Sequence, residues 1–359
     1  MLNILLTALL SCPQAEDQII LTDGTIIEVD KINSETYSEV SYRRGSSTIS
    51  KDSAEIAEVH HALGHSKLED YAAGVDAMSL GDFEGAIFQF RAVVADDKLI
   101  ERATFSWVNQ HARFREIRCL YSLAMFQEVV TKVDALILAV PDTFFFAPAL
   151  LMKARAFNNM GSQAEAKGVY DKLSEEVGLK SLSLRWENEA ELGKVLLDTD
   201  MTAQVKQREL QTIAEKNAAS FPVVSARARV EVGHAMIEGE EYEKAYDFFL
   251  AILEDESSSE AILASAISGM GDCSYRQALA SDSIEMQKPM LENAILDFLT
   301  VASVYREQVE FVPRAMFYAG DALKRIGDTA SAKRVASRLN KLFPNSTWKA
   351  KLFKELNLR

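Results

Sequence analysis

The chain has 359 residues, of which 48% are apolar and 26% charged, with 16 Gly, 7 Pro and three Cys. This composition argues against intrinsic disorder, and three Cys are too few for a disulfide scaffold. The formal net charge of −14 argues against nucleic acid as a partner, because duplex binding depends on clustered Lys and Arg.

The charge is unevenly distributed along the chain. Residues 313–359 contain eleven basic and three acidic side chains, so this segment carries +8 and the preceding residues carry −22. One interpretation is a solvated end of the protein. The other is a surface for an acidic partner, a membrane surface or another copy of the chain.

Residues 1–15 are predicted to be a signal peptide, because an apolar run over residues 1–10 is followed by small and polar residues. Leu9-Leu10-Ser11-Cys12 resembles a bacterial lipobox, which implies lipidation of Cys12 and membrane attachment through the N-terminus. Cleavage after Ala15 is the alternative, and a buried N-terminal strand or helix is a third interpretation. The signal predicts export to the periplasm or the outer-membrane periphery.

Residues 16–60 are predicted to form a small β domain. Two β-branched runs, 18–21 and 25–29, flank Asp23-Gly24, which is a strong hairpin signal. Three further runs complete a prediction of five short strands in an antiparallel barrel or curled sheet; they cover 37–42, 47–49 and 54–59. The pattern resembles short barrels that precede helical repeats in some exported bacterial proteins. We expect this module to pack against the first helices.

Residues 61–359 are predicted to be a helical repeat domain. Four segments share a small residue in a first helix, a Gly turn seven or six positions later, and an Ala in the second helix twelve positions after the small residue. These sets are Gly74, Gly81 and Ala86; Ala154, Gly161 and Ala166; Gly233, Gly239 and Ala245; Gly320, Gly327 and Ala332. They resemble tetratricopeptide repeats (TPRs), in which two helices cross closely at the small residues.

The four clear units begin near residues 67, 147, 226 and 313, and each gap leaves room for one degenerate repeat. The predicted fold is therefore mainly α, a TPR-like α-solenoid of about seven helix pairs, preceded by the small antiparallel β module. About ten additional residues around 281–289 predict a longer connecting loop in the sixth unit.

The resemblance implies a curved groove lined by the first helix of each pair, which binds a protein or peptide partner. The family's groove positions fall on twelve residues of this chain. They are Tyr71, Met78, Arg155, Asn158, Asn159, Arg227, His234, Glu238, Phe317, Asp321, Lys324 and Arg325. A peptide with an apolar end and an acidic end would suit this series.

Ser346-Thr-Trp-Lys349 matches an S-x-x-K motif by chance, because its companion motifs are missing. The sequence contains no Gly-rich phosphate loop, H-E-x-x-H, G-x-S-x-G or Cys-x-x-Cys motif, so we predict no catalytic residue, cofactor or metal. His61 and His65 could share one helix face and hold a metal ion. A polar junction between the β module and the first repeat is favoured, since zinc sites need three or four converging ligands.

Two functions follow from these patterns. The first is a non-enzymatic interaction scaffold in the bacterial cell envelope, similar in plan to periplasmic TPR proteins that serve outer-membrane assembly or cell-wall coordination. The second is a cytoplasmic accessory or targeting subunit of an enzyme complex, which applies if residues 1–15 are not a signal.

Overall fold

A computed structural model describes residues 16–255, 258–306 and 308–358. The predicted signal peptide, residues 1–15 with Cys12, lies outside these residues. The predicted fold class is confirmed: the chain is mainly α, with TPR-like helix pairs following a small antiparallel β module.

The β module contains six strands rather than the predicted five. They are β1 (Asp17–Leu21), β2 (Ile26–Val29), β3 (Lys31–Glu35), β4 (Glu39–Arg44), β5 (Ser47–Asp52) and β6 (Ile56–His60). Two three-stranded antiparallel sheets form, in the orders β2-β1-β6 and β3-β4-β5. The sequence prediction missed β3 because its residues, Lys-Ile-Asn-Ser-Glu, are mostly polar and poor strand formers.

Both sheets contribute to one apolar core, which includes Ile19, Val40 and Val59. The hairpin between β1 and β2 is confirmed: Gly24 adopts φ +84° and Asp23 accepts a hydrogen bond from the Thr25 amide. Phe144, just before the helix that begins at Phe146, is buried in the same core. The module thus depends on a residue distant in sequence to complete its interior.

Sixteen helices follow the β module within the described residues. They are α1 (Glu69–Ser79), α2 (Phe83–Ala95), α3 (Asp97–Ile100), α4 (Trp107–Ser122), α5 (Phe126–Ala139), α6 (Phe146–Asn159), α7 (Gln163–Lys180), α8 (Leu184–Leu197), α9 (Ala203–Asn217), α10 (Pro222–Glu238), α11 (Tyr242–Leu253), α12 (Glu260–Ala280), α13 (Ile284–Val304), α14 (Val312–Arg325), α15 (Thr329–Leu342) and α16 (Thr347–Glu355). Apart from α3 and α16, they form seven consecutive pairs, from α1–α2 to α14–α15.

The turn within most pairs requires a left-handed residue seven positions after the small residue of the first helix. Gly81, Gly161 and Gly327 occupy this position with φ between +78° and +89°. In the pair α10–α11, Glu240 takes it at φ +60°, so the predicted turn residue, Gly239, is one position early. Ala124 supplies the left-handed residue between α4 and α5 at φ +59°, although the residue seven positions before it is Ile117 and not a small residue.

The chain divides into two compact units. The first contains the described residues up to Cys119 together with Lys132–Ala149, and the second contains Leu120–Thr131 and the residues from Leu150 onward. The first unit holds the β module and the α1–α2 pair. In the second, consecutive helices from α7 to α15 pack against one another, and α10 also packs against α8 and α12.

Aromatic side chains of the second helices fill the space that glycines leave in the first helices. Phe249 of α11 is fully buried between α10 and α12. A Cβ added to Gly233 would lie 2.6 Å from its ring, and one added to Gly269 would lie 2.3 Å away. The predicted close crossing at Gly233 is therefore present, although the glycine meets the aromatic ring one turn beyond Ala245.

The end of the second unit departs from the predicted loop structure. The additional residues of the sixth pair extend α12 and α13, and the expected long loop around 281–289 is wrong, because α13 begins at Ile284 and includes Pro289. Helix α16 packs on α14, where Leu352 covers Gly320. Among the described helices, none combines the length and apolar character that a membrane span requires.

Candidate functional site

The predicted partner-binding residues of the second unit lie on alternate helices. We call α6, α8, α10, α12 and α14 the A helices, since each is the first helix of its pair. Direct packing joins α8 to α10 and α10 to α12. Side-chain contacts join α12 to α14, because Arg314 reaches Ser268 and Asp272. The A helices from α8 to α14 are thus neighbours in this unit.

Three acid–arginine pairs recur along the A helices. In each pair the carboxylate is at least nine-tenths buried and the guanidinium is partly exposed. The pairs are Glu189–Arg227, with side chains 5% and 22% exposed and 2.5 Å apart; Asp272–Arg314, 4% and 28% exposed and 2.6 Å apart; and Asp321–Arg325, 4% and 44% exposed and 2.6 Å apart.

This arrangement orients the guanidinium groups for further binding. A guanidinium has five N–H donors in a fixed fork, and the buried carboxylate uses only part of them. Ring contacts hold two of the groups as well: Arg314 lies 4.9 Å from the ring centroid of Tyr318, and Arg325 lies 5.7 Å from that of Tyr275. The partly exposed donors can bind a carboxylate of another molecule.

Aromatic and basic side chains meet at the last A helix. Phe317 and Tyr318 of α14 lie 5.3 Å and 5.9 Å from Trp348 of α16, between ring centroids, and all three are partly exposed. The Lys351 ammonium lies 4.1 Å from the Trp348 centroid. Lys324 is exposed and contacts Glu355 at 3.1 Å. We call these five residues, Phe317, Tyr318, Lys324, Trp348 and Lys351, the C-terminal platform.

Arg155 of α6 has an incomplete set of hydrogen bonds. Its Nη1 donates to Glu310 Oε2 at a long 3.4 Å, and its buried Nε has no partner in the part of the chain that the structure describes. Burial opposes the charged form, but Glu310 and Tyr121 raise the pKa of Arg155, so the group stays cationic. Asn158 and Asn159 beside it are exposed, and Asn159 donates to the Tyr121 hydroxyl.

The predicted residues of α10 make polar contacts to neighbouring helices. His234 Nε2 lies 3.1 Å from the Ser265 hydroxyl, and burial lowers the pKa of His234 to about 4. This histidine is therefore neutral at physiological pH. Glu238 is exposed and accepts a hydrogen bond from Lys206 at 2.9 Å.

Two of the predicted groove residues are buried. Tyr71, in the first unit, is 2% exposed, and its hydroxyl accepts a hydrogen bond from Arg115 Nε at 2.9 Å. Asp321 is 3% exposed and accepts hydrogen bonds from Tyr275 and Arg325. Neither side chain is open to a partner, and Asp321 acts by holding Arg325. Met78 of α1 is partly exposed.

A second candidate site lies in the first unit, at the histidines noted in the sequence. His61 and His65 do not share a helix face: His61 follows β6, and His65 precedes a 3₁₀ turn at Ser66–Leu68. His61 instead meets two residues that the sequence analysis missed. Its Nε2 hydrogen-bonds Glu35 Oε1 of β3, and His111 Nε2 of α4 lies 2.6 Å from Glu35 Oε2.

This cluster of Glu35, His61 and His111 is enclosed, with exposures of 9%, 7% and 2%. Burial alone would raise the pKa of Glu35, but the two imidazoles lower it to about 2, so the carboxylate is ionised. Burial lowers the pKa of His111. One nitrogen or oxygen atom from each residue lies within 4.8 Å of the others, a spacing that can hold a metal ion.

Tertiary structure creates both candidate sites. Glu35 is separated from His61 by 26 positions and from His111 by 76, and no local motif links them. Two of the acid–arginine pairs join residues that are far apart in the sequence, 38 positions for Glu189–Arg227 and 42 for Asp272–Arg314. A sequence signal existed only for the third pair, since Asp321 and Arg325 have the i,i+4 spacing of helix neighbours.

The cysteines in the described residues do not add a reactive group. Cys119 and Cys273 are buried free thiols. Burial raises the pKa of each thiol to about 12, so both stay protonated and unreactive as nucleophiles at neutral pH.

A family model of the tetratricopeptide repeat matches residues 314–346, which include most of α14 and all of α15. No curated protein matches the sequence. A crystal structure of a tetratricopeptide repeat protein from Parabacteroides merdae is similar at 14% identity, covering 80% of this chain and 98% of that chain with a TM-score of 0.42. The C-terminal part of a TPR repeat-containing protein from Cytophaga hutchinsonii is similar at 13% identity, covering 78% and 97% with a TM-score of 0.32.

Proposed function

We propose that this protein is a non-enzymatic interaction scaffold that binds an acidic segment of another protein along the A helices of its second unit. The observation that carries the proposal is the recurring acid–arginine pair. A buried carboxylate fixes each guanidinium, so a partner does not have to restrain a flexible side chain before binding it.

The C-terminal platform supports the same proposal. Its aromatic rings offer apolar area beside two ammonium groups, and aromatic side chains and Arg are the residues that most often dominate binding energy at protein interfaces. An acidic segment that also carries apolar residues would contact both. The positive charge of residues 313–359 would speed association with such a segment.

The enclosed Glu35–His61–His111 cluster agrees with a non-enzymatic role. All three side chains are buried, and a carboxylate already occupies the space between the two imidazoles. A substrate would have no surface at which to reach these groups.

Pull-down from the native cell envelope tests the binding surface. The double variant Lys324→Glu/Lys351→Glu reverses two exposed charges of the C-terminal platform. The matched control, Lys333→Glu/Lys341→Glu, makes the same change of charge at two exposed positions of α15, outside the A helices. We expect wild type and control to recover the same partners and the platform variant to lose them.

Equal recovery by all three proteins would contradict binding at the platform. Loss from both variants would show that net charge, and not this surface, controls association. Urea unfolding of each variant, measured beforehand, ensures that only folded proteins are compared.

We further propose that the scaffold works in the bacterial cell envelope, as the signal-like residues 1–15 suggest. Mass spectrometry of the mature N-terminus tests this proposal. A lipidated Cys12 would give a membrane fraction that Cys12→Ser abolishes, and cleavage after Ala15 would give an unmodified N-terminus. An intact Met1 in the cytosol would contradict export and favour the accessory subunit of a cytoplasmic complex.

A further inference from the structure

The buried cluster of Glu35, His61 and His111 has the side-chain types and spacing of a metal centre. Each residue comes from a different element, namely β3, the segment after β6, and α4. Two imidazole nitrogens and a carboxylate converge within 4.8 Å. This donor set suits divalent first-row transition metals, whereas Mg²⁺ and Ca²⁺ prefer oxygen ligands throughout.

An irregularity of the backbone places Glu35 in this cluster. Ile32 of β3 is buried and pairs with Tyr42, so strict alternation would bury Ser34 and expose Glu35. The register shifts between Ile32 and Ser34, which is a β-bulge, and the shift directs Glu35 inward. Bulges are enriched next to functional sites, where they redirect a side chain.

Asp17 connects the two segments that carry Glu35 and His61. Its Oδ2 accepts a hydrogen bond from the Ile32 amide at 2.9 Å, and its Oδ1 accepts one from the Ala62 amide at 2.8 Å. The same Oδ1 lies 4.0 Å from His61 Nδ1. A carboxylate on the far side of a metal-binding imidazole is the usual outer partner of such a ligand.

Ring packing fixes the orientation of both imidazoles. Trp107 stacks on His61 with centroids 3.8 Å apart and planes 4° from parallel. The rings of Trp107 and Phe145 lie nearly perpendicular to His111, with centroids 5.3 Å and 4.9 Å from its own. Neither imidazole can turn its Nε2 away from Glu35 without displacing these rings.

We propose that Glu35, His61 and His111 bind one divalent transition-metal ion of the Zn²⁺ class. The two Nε2 atoms and the Glu35 carboxylate supply three ligands, and the carboxylate binds through one oxygen or through both. In a tetrahedral zinc site the ligand atoms lie about 3.3 Å apart, so the carboxylate moves outward from its present 2.6 Å contact with His111 Nε2. Each imidazole binds as the neutral tautomer with its proton on Nδ1.

The arrangement of donor atoms favours this occupant. The Glu35 carboxyl group faces both imidazoles, and the Asp17 carboxyl group lies behind His61. Because the cluster is enclosed, the ion would have a structural role, joining β3 and the end of β6 to α4 within the first unit. A structural ion of this kind stabilises the folded chain directly.

Refolding of the full-length chain with Zn²⁺ or Co²⁺, followed by desalting, tests the proposal. Refolding is necessary because the site is enclosed in the folded protein. We expect one metal equivalent per chain by elemental analysis, visible d–d absorption with Co²⁺, and a higher melting temperature than after refolding with a chelator. His111→Gln keeps an amide donor toward Glu35 but removes a ligand. This variant should retain no metal, and its melting temperature should be the same after refolding with metal as after refolding with a chelator.

His65→Gln is the matched control, because His65 is exposed, close in sequence to His61 and outside the cluster. It should behave as wild type. Absence of retained metal in folded wild type, with equal melting temperatures in all refolding conditions, would overturn the proposal and leave a hydrogen-bonded triad. Metal retained equally by His111→Gln would overturn it too, because the ion would then lie elsewhere.

Discussion

Substitution of Gly233 by Ala tests the packing of the second unit most directly. The added methyl group would lie 2.6 Å from two carbons of the Phe249 ring, whereas carbon atoms pack at about 3.5–4.0 Å. The ring must therefore move by about 1 Å. It cannot retreat toward α12, because Phe249 is fully buried and the ring lies so close to Gly269 that a Cβ there would be 2.3 Å from it.

The magnitude follows from two opposing effects. Overpacking of a well-packed core costs about 1–3 kcal/mol. Replacement of a helical Gly by Ala gains about 0.5–1 kcal/mol, because it removes backbone freedom from the unfolded chain. We therefore expect Gly233→Ala to lower the free energy of unfolding by about 1–2 kcal/mol.

Gly168→Ala is the matched control, since Gly168 is an exposed helical glycine of α7 with no atom within 4 Å of an added Cβ. It should raise the free energy of unfolding by about 0.5–1 kcal/mol. Urea unfolding of both variants, monitored by circular dichroism, separates the cost of overpacking from the effect of helix propensity. Equal or greater stability of Gly233→Ala would refute the close approach of Phe249 and with it the register of the repeats.

Three further predictions concern stability. Asp297→Asn should stabilise the chain, because burial raises the pKa of Asp297 to about 7 and its Oδ2 has no partner among the described residues. The gain in the free energy of unfolding should be small near pH 4, grow as the pH rises through about 7, and reach about 1–2 kcal/mol after allowance for partial exposure. A gain in urea midpoint that does not change with pH would contradict this prediction. Ala124→Gly and Glu240→Gly should each stabilise by about 1 kcal/mol, because both residues have positive φ; lower melting temperatures would contradict this. Arg325→Glu should lower the free energy of unfolding by about 1–2 kcal/mol, because it leaves the buried Asp321 carboxylate beside a like charge. Lys324→Glu should lower it by less than about 1 kcal/mol, because the ion pair of Lys324 is exposed. Equal urea midpoints for the two variants would contradict this distinction.

The sequence alone determined the repeated helix pairs. Small residues twelve positions before an Ala, together with Gly turns, depend on contacts between helices that are adjacent in the chain, so the pattern is local. The β1–β2 hairpin was predictable for the same reason, because Asp23-Gly24 specifies a tight turn. The turn at Glu240 was placed one position early because Gly239 beside it is the more usual turn residue.

Only the tertiary structure decided the rest. A polar strand such as β3 forms because β4 supplies its hydrogen bonds, and a bulge within it reverses the side on which Glu35 lies. The pairs Glu189–Arg227 and Asp272–Arg314 form between helices of successive repeats, at positions that no single repeat relates. The physical reason is that a local pattern fixes turns and helix crossings, whereas burial and long-range contacts fix which polar groups meet.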